Sequence, residues 1–548
     1  MTGITVDSCL KPVPRLHASA EESPATRKTY IGLSASSGCT STAIVSGGQL
    51  LFAEDYAPGS SAYDLAGLTE NDTRTLLTPL AQYCEPDTDI VIAVPREGHS
   101  PPLANVLAGS LRTLAYTRRS SSHALSWLAN ILKLQIYKSR GGKSVKFEQR
   151  YYRRHLACAA AACITSPYSE ALCMVLEGPR RRPCSQYIYR DSALFEIADV
   201  IGEGLYEARG TLCQDQCEAC WGREDVAQTG QAVFEEQLYS SLRNLSALGR
   251  FRNLALTGGG ALNSRANGNI LRCTEFESLY VPCFPASTGS AVGAALLAHH
   301  QDNRLAVVRH PGFQTPYLGS DFPSARFQRL VSSLGLSGIR QCHGDAPERA
   351  ASCLASGMIV AWVQGRAELG PRALGNRSIL ADPRQHNIRA RLASPNGADP
   401  RSTWPSFSVL HEYGAEWFEN YQVSPYMERA LRFRAKVIRR IPEVINAIGT
   451  AQVQSVKRDW NPGFYDLIFA FYKITGIPMV INANCELSGR GFVATPDELL
   501  RMFGERLIDV MFVDETLLAK PYLQHDADSC TPAPQGYAAL PKGYSVVQ

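Results

Sequence analysis

The chain reads as an α/β protein of two domains. Short unbroken apolar runs alternate along it with stretches of helical spacing, and 548 residues are too many for a single core. Ile90-Val-Ile-Ala-Val94, Leu254-Ala-Leu256 and Met358-Ile-Val-Ala-Trp-Val363 have the length of buried strands, and the last two open into glycine turns.

Residues 1–28 are polar, hold Pro12, Pro14 and Pro24, and predict a disordered tail. A first domain is expected over 29–345. Tyr30-Ile-Gly-Leu33, Ser41-Thr-Ala-Ile-Val45 and Gly48-Gln-Leu-Leu-Phe52 look like strands joined by tight turns, the opening of an actin-like ATPase fold. Ile90 to Val94 adds a strand, and Ala104 to Leu114 and Ala124 to Leu134 have helical spacing. Ala171-Leu-Cys-Met-Val-Leu176 is a further strand ending at Glu177-Gly178, and Val233 to Leu248 a helix. Leu254-Ala-Leu256 then runs into Thr257-Gly-Gly-Gly260-Ala-Leu-Asn263, a strand, a glycine turn and a helix start. The NH groups of Gly258, Gly259 and Gly260, with Asn263, face an anion in such a turn; the alternative is a bend where backbone packs on backbone. Pro311, Pro316 and Pro323 mark a connecting lobe. A second domain follows over 346–525, with strands at 358–363 and 478–482 and a helix from Pro462 to Ile474. Residues 526–548 form a Pro- and Gly-rich tail. No internal repeat is legible.

Hydrophobic residues make up 45% and charged residues 19%, an ordinary globular balance, and the net charge of +4 is small for this length. Neither a nucleic-acid nor a membrane partner is expected. Two local basic segments, Lys138 to His155 and Arg180 to Arg182, read as solvated surface or as an anion-lined entrance. No apolar run nears 18 residues and no signal pattern opens the chain, so a cytoplasmic location is expected. The 16 cysteines are scattered and read as reduced thiols; Cys184, Cys213, Cys217 and Cys220 lack a second pair at zinc spacing.

The segment Gly365-Arg-Ala-Glu-Leu-Gly-Pro-Arg-Ala-Leu-Gly-Asn-Arg-Ser-Ile-Leu-Ala-Asp-Pro-Arg384 follows the strand at Met358 to Val363 and interleaves four arginines with three glycines. Glycine lets backbone approach an anion, and guanidinium forks bind phosphate or carboxylate with two parallel bonds. Arg366, Gly370, Arg372, Asn376, Arg377 and Ser378 are therefore the candidate binders of a nucleotide or acyl phosphate, with Arg372 and Arg377 as transition-state stabilisers.

At this block, at Gly258 to Asn269 and at Tyr465 to Thr495, the chain resembles the ATP-dependent O-carbamoyltransferases of antibiotic and nodulation-factor biosynthesis. The resemblance can be followed from about Tyr30 to Lys520. It implies an actin-like (ASKHA) N-terminal domain of the threonylcarbamoyl-transfer type and a smaller, YrdC-like α/β C-terminal domain. The C-terminal domain would make a carbamoyl-adenylate from ATP and carbamoyl phosphate, and the N-terminal domain would pass the carbamoyl group to a small-molecule hydroxyl. It implies ATP as cofactor, with Mg2+ as its companion ion, and adds Asn482 to the binding residues. A homodimer, or a partner from the same biosynthetic pathway, is the association it leaves open.

The departures from the family pattern are specific. Where its two helix-borne iron-ligand histidines stand, this chain has Arg154 and Cys158, with His155 between them; the two later aspartate ligands fall on Glu177 and Ser287. An arginine has no lone pair to give a cation, so the iron site is expected to be lost. The family's acceptor-site His-Asp pair falls on Gly38-Cys39. Its cationic run in the second domain is reduced to Gly397-Ala-Asp-Pro400 and Thr403-Trp-Pro-Ser-Phe407, while Cys485, Glu486 and Arg490 are new. His155 and Glu486 are candidate substitute bases; His155 is alternatively a packed residue. Three functions follow: a divergent carbamoyltransferase of secondary metabolism; an ATP-dependent ligase joining a carboxylic acid to an amine, which needs no base to attack; or a non-catalytic paralogue that modulates an active partner.

Overall fold

A computed structural model describes residues 10–12, 28–36, 39–56, 79, 82–84, 88–96, 146–177, 184–197, 224–248, 251–303, 313–336, 338–386, 388–392, 406–441, 449–486, 492–505 and 508–520. The expected helices at 104–114 and 124–134, the cysteines at 213–220, Gly38, Arg180 to Arg182, residues 397–405, Arg490 and the C-terminal tail lie outside them.

Leu10–Pro12 forms a short strand, β1, so the tail expected over 1–28 is ordered there. β2 (Lys28–Ser36), β3 (Cys39–Ser46), β4 (Gln49–Tyr56), β5 (Asp89–Arg96) and β6 (Phe147–Arg153) make a sheet in the order β4-β3-β2-β5-β6. β2, β3 and β4 pair antiparallel, while β5 and β6 join in parallel. β5 is buried from Ile90 to Pro95, which accounts for its unbroken apolar run. Helix α1 (Arg154–Thr165) follows.

The pattern then repeats. β7 (Glu170–Leu176), β8 (Cys184–Arg190), β9 (Ala193–Ile197), β10 (Asn253–Thr257) and β11 (Ser278–Tyr280) form a second sheet in the order β9-β8-β7-β10-β11, and β1 extends it antiparallel beyond β9. The two meander pairings are again antiparallel and the last two strands again parallel. Helices α2 (Glu224–Leu248) and α3 (Ser264–Cys273) flank β10, and α4 (Ser287–Asp302) follows β11 as α1 follows β6. This duplicated five-strand unit, in which the helix after each half packs on the sheet of the other, is the actin-like architecture. The repeat is one of topology, which is why no sequence period reveals it. α1 and α4 pack on each other so closely that a Cβ at Gly293 would lie 1.7 Å from the Ala157 carbonyl oxygen.

A third, nine-stranded sheet is built from β12 (Ile339–Gln341), β13 (Val360–Val363), β14 (Arg377–Ala381), β15 (Ser406–Leu410), β16 (Arg429–Arg432), β17 (Thr450–Val456), β18 (Met479–Asn484), β19 (Val510–Val513) and β20 (Thr516–Ala519). Its order is β12-β20-β19-β13-β14-β18-β15-β17-β16. Helix α5 (Ser324–Ser333) packs Phe327 and Val331 into its core, as α6 (Ala346–Ala355), α7 (Pro462–Thr475) and α8 (Pro496–Glu505) also pack there. α5 and β12 precede the boundary expected near residue 345 yet belong structurally to this third sheet. The limits of α7 follow its sequence: Asn461 caps it by accepting from Phe464 N, Pro462 opens it, and Gly476 ends it at φ 70°.

Candidate functional site

The Arg/Gly block connects β13 to β14 and lies against the first domain. Leu369 and Leu374 are buried in one core with Cys283 and Phe284, which belong to the β11–α4 connection. Gly370, at φ 87°, comes so close that a Cβ there would sit 1.9 Å from the Cys283 carbonyl oxygen. The glycine's job here is close approach between domains.

The arginines of the block serve different ends. Arg377 is fully buried, and its guanidinium donates to the carbonyls of Gln364 (2.8 Å), Asn376 (3.0 Å), Gly365 (2.9 Å) and Ser320 (3.2 Å). The phosphate contact expected of Arg377 is not the role its geometry shows; burial lowers its pKa, and the ring of carbonyl dipoles holds the cation instead. Arg366 donates to the carbonyls of Gly319 (2.9 Å) and of Leu51 (2.8 Å) in β4, pinning the block to the first sheet. Arg372 alone of the three reaches the glycine turn: its Nη2 donates to the Leu262 carbonyl at 2.9 Å.

The backbone NH groups of the block are also committed. Glu368, buried, accepts from the NH groups of Leu374 (2.8 Å), Asn376 (2.7 Å) and Arg377 (3.0 Å) through Oε1. Gly375 N donates to Ser378 Oγ and Ala373 N to Asn484 Oδ1. A carboxylate of the chain itself therefore fills the anion-binding nest that the sequence assigns to phosphate. Asn376 Nδ2 donates to the Arg366 carbonyl, and Asn482 Nδ2 to Ala373 O and Ser408 Oγ. Asn376, Ser378 and Asn482 thus brace the loop. Asn484 leads outward, donating to Pro371 O (2.9 Å) and to Glu486 Oε2 (3.2 Å), which puts Glu486 beside Arg372's loop.

The glycine turn divides its labour as well. Gly258, at φ 87°, would place a Cβ 2.2 Å from the Leu176 carbonyl oxygen, and its NH donates to Pro285 O at 2.6 Å, so it packs backbone on backbone. Gly259 has open space where a side chain would be. The Gly260 carbonyl accepts from Asn263 N, and Asn263 caps α3 while exchanging amide bonds with Gln231.

The β11–α4 connection joins all of this. Cys283 touches Gly370, Pro285 accepts from Gly258, and α4 begins at Ser287. Ser287 and Arg154 each open the helix that follows their half of the fold. Arg154 is buried with Nε 3.6 Å from Glu177 Oε1, and Cys158 Sγ lies 3.9 Å from that same oxygen. Burial and then Glu177 push the Cys158 thiol well above its ordinary pKa. These residues do not fit iron or zinc: a cation already stands where the ion would. Among the described residues no group of three or more His, Cys, Asp or Glu is placed to hold a metal. His155 Nδ1 bonds Ser185 Oγ at 2.7 Å.

Residues 188–296 match the model described as carbamoyltransferase N-terminus and residues 351–520 the one described as carbamoyltransferase C-terminus, together just over half of the chain. The chain belongs to the carbamoyltransferase family. The matched segments hold the glycine turn, the start of α4 and the Arg/Gly block, and are narrower than the span from Tyr30 to Lys520; Arg154 and Glu177 lie outside them. Curated relatives include nodulation protein NolNO of Sinorhizobium fredii, 33% identical over 306 residues, covering 54% of this chain and 44% of that protein. Nodulation protein NolO of Bradyrhizobium diazoefficiens is 30% identical over 325 residues, covering 58% of each chain. The chain spans about half the length of the curated relatives it matches. Among solved structures, a ROK family glucokinase from Streptomyces griseus aligns at a TM-score of 0.29 and 13% identity, over 50% of this chain and 99% of that one.

Proposed function

We propose that the chain uses ATP to activate carbamoyl phosphate as a carbamoyl-adenylate and transfers the carbamoyl group to a small-molecule acceptor. The bond from Arg372 to Leu262 carries this reading, because it brings the Arg/Gly block and the glycine turn together at one place between the domains. Arg372, with Gly259 and Glu486 near it, would meet the nucleotide and the acyl phosphate. Mg2+ would come with ATP and share the phosphate charge. Arg366, Arg377 and Glu368 would hold this loop in shape. The second domain would perform the adenylation, in the YrdC-like manner, and the first domain the transfer, without a transition metal.

The test is exchange of labelled pyrophosphate into ATP by the full chain. Exchange that depends on carbamoyl phosphate is expected. No exchange, or exchange driven only by carboxylic acids, overturns the reading.

A further inference from the structure

The loss of the family's His-Asp pair at Gly38-Cys39 removes the obvious group to deprotonate an acceptor. The structure supplies another on the neighbouring strand. β3 and β4 run antiparallel with Ser41 opposite Asp55, and Ser41 Oγ donates to Asp55 Oδ1 at 2.5 Å. The hydroxyl of Thr288, in the first turn of α4, also bonds the Asp55 carboxylate. Beside them Ser34 Oγ meets Ser290 Oγ at 2.6 Å.

Thr288 lies three residues beyond Pro285, whose carbonyl accepts from Gly258, and five beyond Cys283, on which Gly370 is seated. Asp55, the glycine turn and the Arg/Gly block therefore each contact the one short segment from Cys283 to Thr288. The adjacent Glu54 points elsewhere, accepting from Ser320 Oγ at 2.6 Å. Asp55 itself is exposed, and a carboxylate offers about four acceptor positions, so two hydroxyl donors orient it without filling it. Desolvation by the surrounding protein raises its carboxyl above the ordinary aspartate value, outweighing the Ser41 and Thr288 bonds that lower it, which makes it a stronger proton acceptor than a solvated carboxylate.

We propose that Asp55 is the general base for the acceptor hydroxyl, an inference that rests on the carbamoyl-transfer reading above. The hydroxyl oxygen attacks the carbamoyl carbon of the carbamoyl-adenylate as its proton passes to Asp55. The new carbon–oxygen bond forms while the bond from that carbon to the AMP phosphate oxygen breaks, AMP departs with the electron pair, and Asp55 returns the proton to water. Ser41 and Thr288 are positioning residues that fix the carboxylate. An oxygen acceptor then needs neither the metal nor the missing histidine.

Asp55→Asn in the full chain tests this, with glycerol as hydroxyl acceptor and hydroxylamine as an acceptor that attacks unaided. The variant is expected to keep pyrophosphate exchange and transfer to hydroxylamine while kcat for glycerol falls about 100- to 10,000-fold, the usual worth of a general base. Asp55→Glu should recover part of the loss. Equal loss with both acceptors, or none with glycerol, overturns the proposal. A wild-type chain without exchange overturns the parent reading instead.

Discussion

Arg154 and Glu177 form a buried ion pair, with side chains 8% and 7% exposed, at the place where the family resemblance implies a metal. Arg154 stands at the head of α1 and Glu177 just past the end of β7, on whose sheet α1 packs, so the pair caps that apolar contact with charge.

Removing one partner of such a pair strands the other without water. Arg154→Met is expected to destabilise the chain by about 3 to 5 kcal/mol, and the double variant Arg154→Met/Glu177→Leu to recover most of that. Chemical denaturation of the wild type, Arg154→Met, Glu177→Leu and the double variant measures the coupling; additive losses would argue that the two side chains do not interact.

Elemental analysis of chain purified without chelators should find neither iron nor zinc at stoichiometric level. The Arg154 guanidinium, paired with Glu177, occupies one of the four ligand positions, and Ser287 is a weak donor. Activity should survive EDTA followed by Mg2+.

Arg377 and Arg372 should fail in different ways. Arg377→Ala removes four buried guanidinium bonds to backbone carbonyls and is expected to cost about 4 kcal/mol of stability, with little rescue by lysine, which lacks the fork. Arg372→Ala, partly exposed, should cost only about 1 kcal/mol of stability but lower pyrophosphate exchange roughly 30- to 1000-fold. Thermal melts and exchange rates on both variants separate the two roles.

The glycine turn offers an internal control. Gly258→Ala forces a Cβ into the Leu176 carbonyl at positive φ and is expected to cost about 3 kcal/mol. Gly259→Ala meets open space, so it should fold normally and report through the KM for ATP whether a ligand comes to that face. An unchanged KM would remove Gly259 from the site.

Stability should fall in mild acid. His299 is buried edge-on to Tyr30, and burial lowers its pKa below the ordinary 6.5. Folding therefore favours the neutral ring, the unfolded chain takes up the proton first, and stability is lost as pH drops below about 6.5. His300, lowered by burial too, adds to the same slope. His299→Gln should flatten the dependence of Tm on pH.

Much of this fold could be read from residues. Ile90 to Val94 and Met358 to Val363 announce strands because both faces are buried, and Asn461-Pro462 with Gly476 brackets a helix. The Arg/Gly block stood out too, but its partners are backbone carbonyls and one internal carboxylate, Glu368, which no pattern of side chains discloses. Asp55 was missed because Glu54-Asp55 at the end of a strand looks like a solvated edge. The available signal was an adjacent acid pair closing the apolar run Leu50-Leu-Phe-Ala53. β1 escaped because three residues beside prolines carry no period, and its partner β9 is far away in sequence.

The contact of Gly293 with Ala157 has a mechanical meaning. Helices that touch backbone to backbone cannot slide past one another without collision, because no flexible side chain lies between them to yield. They can still turn about the point of contact. Whatever breathing the two halves undergo must then be a pivot at that glycine, which carries the head of α4, with Thr288 and Asp55, toward or away from the head of α1, with Arg154.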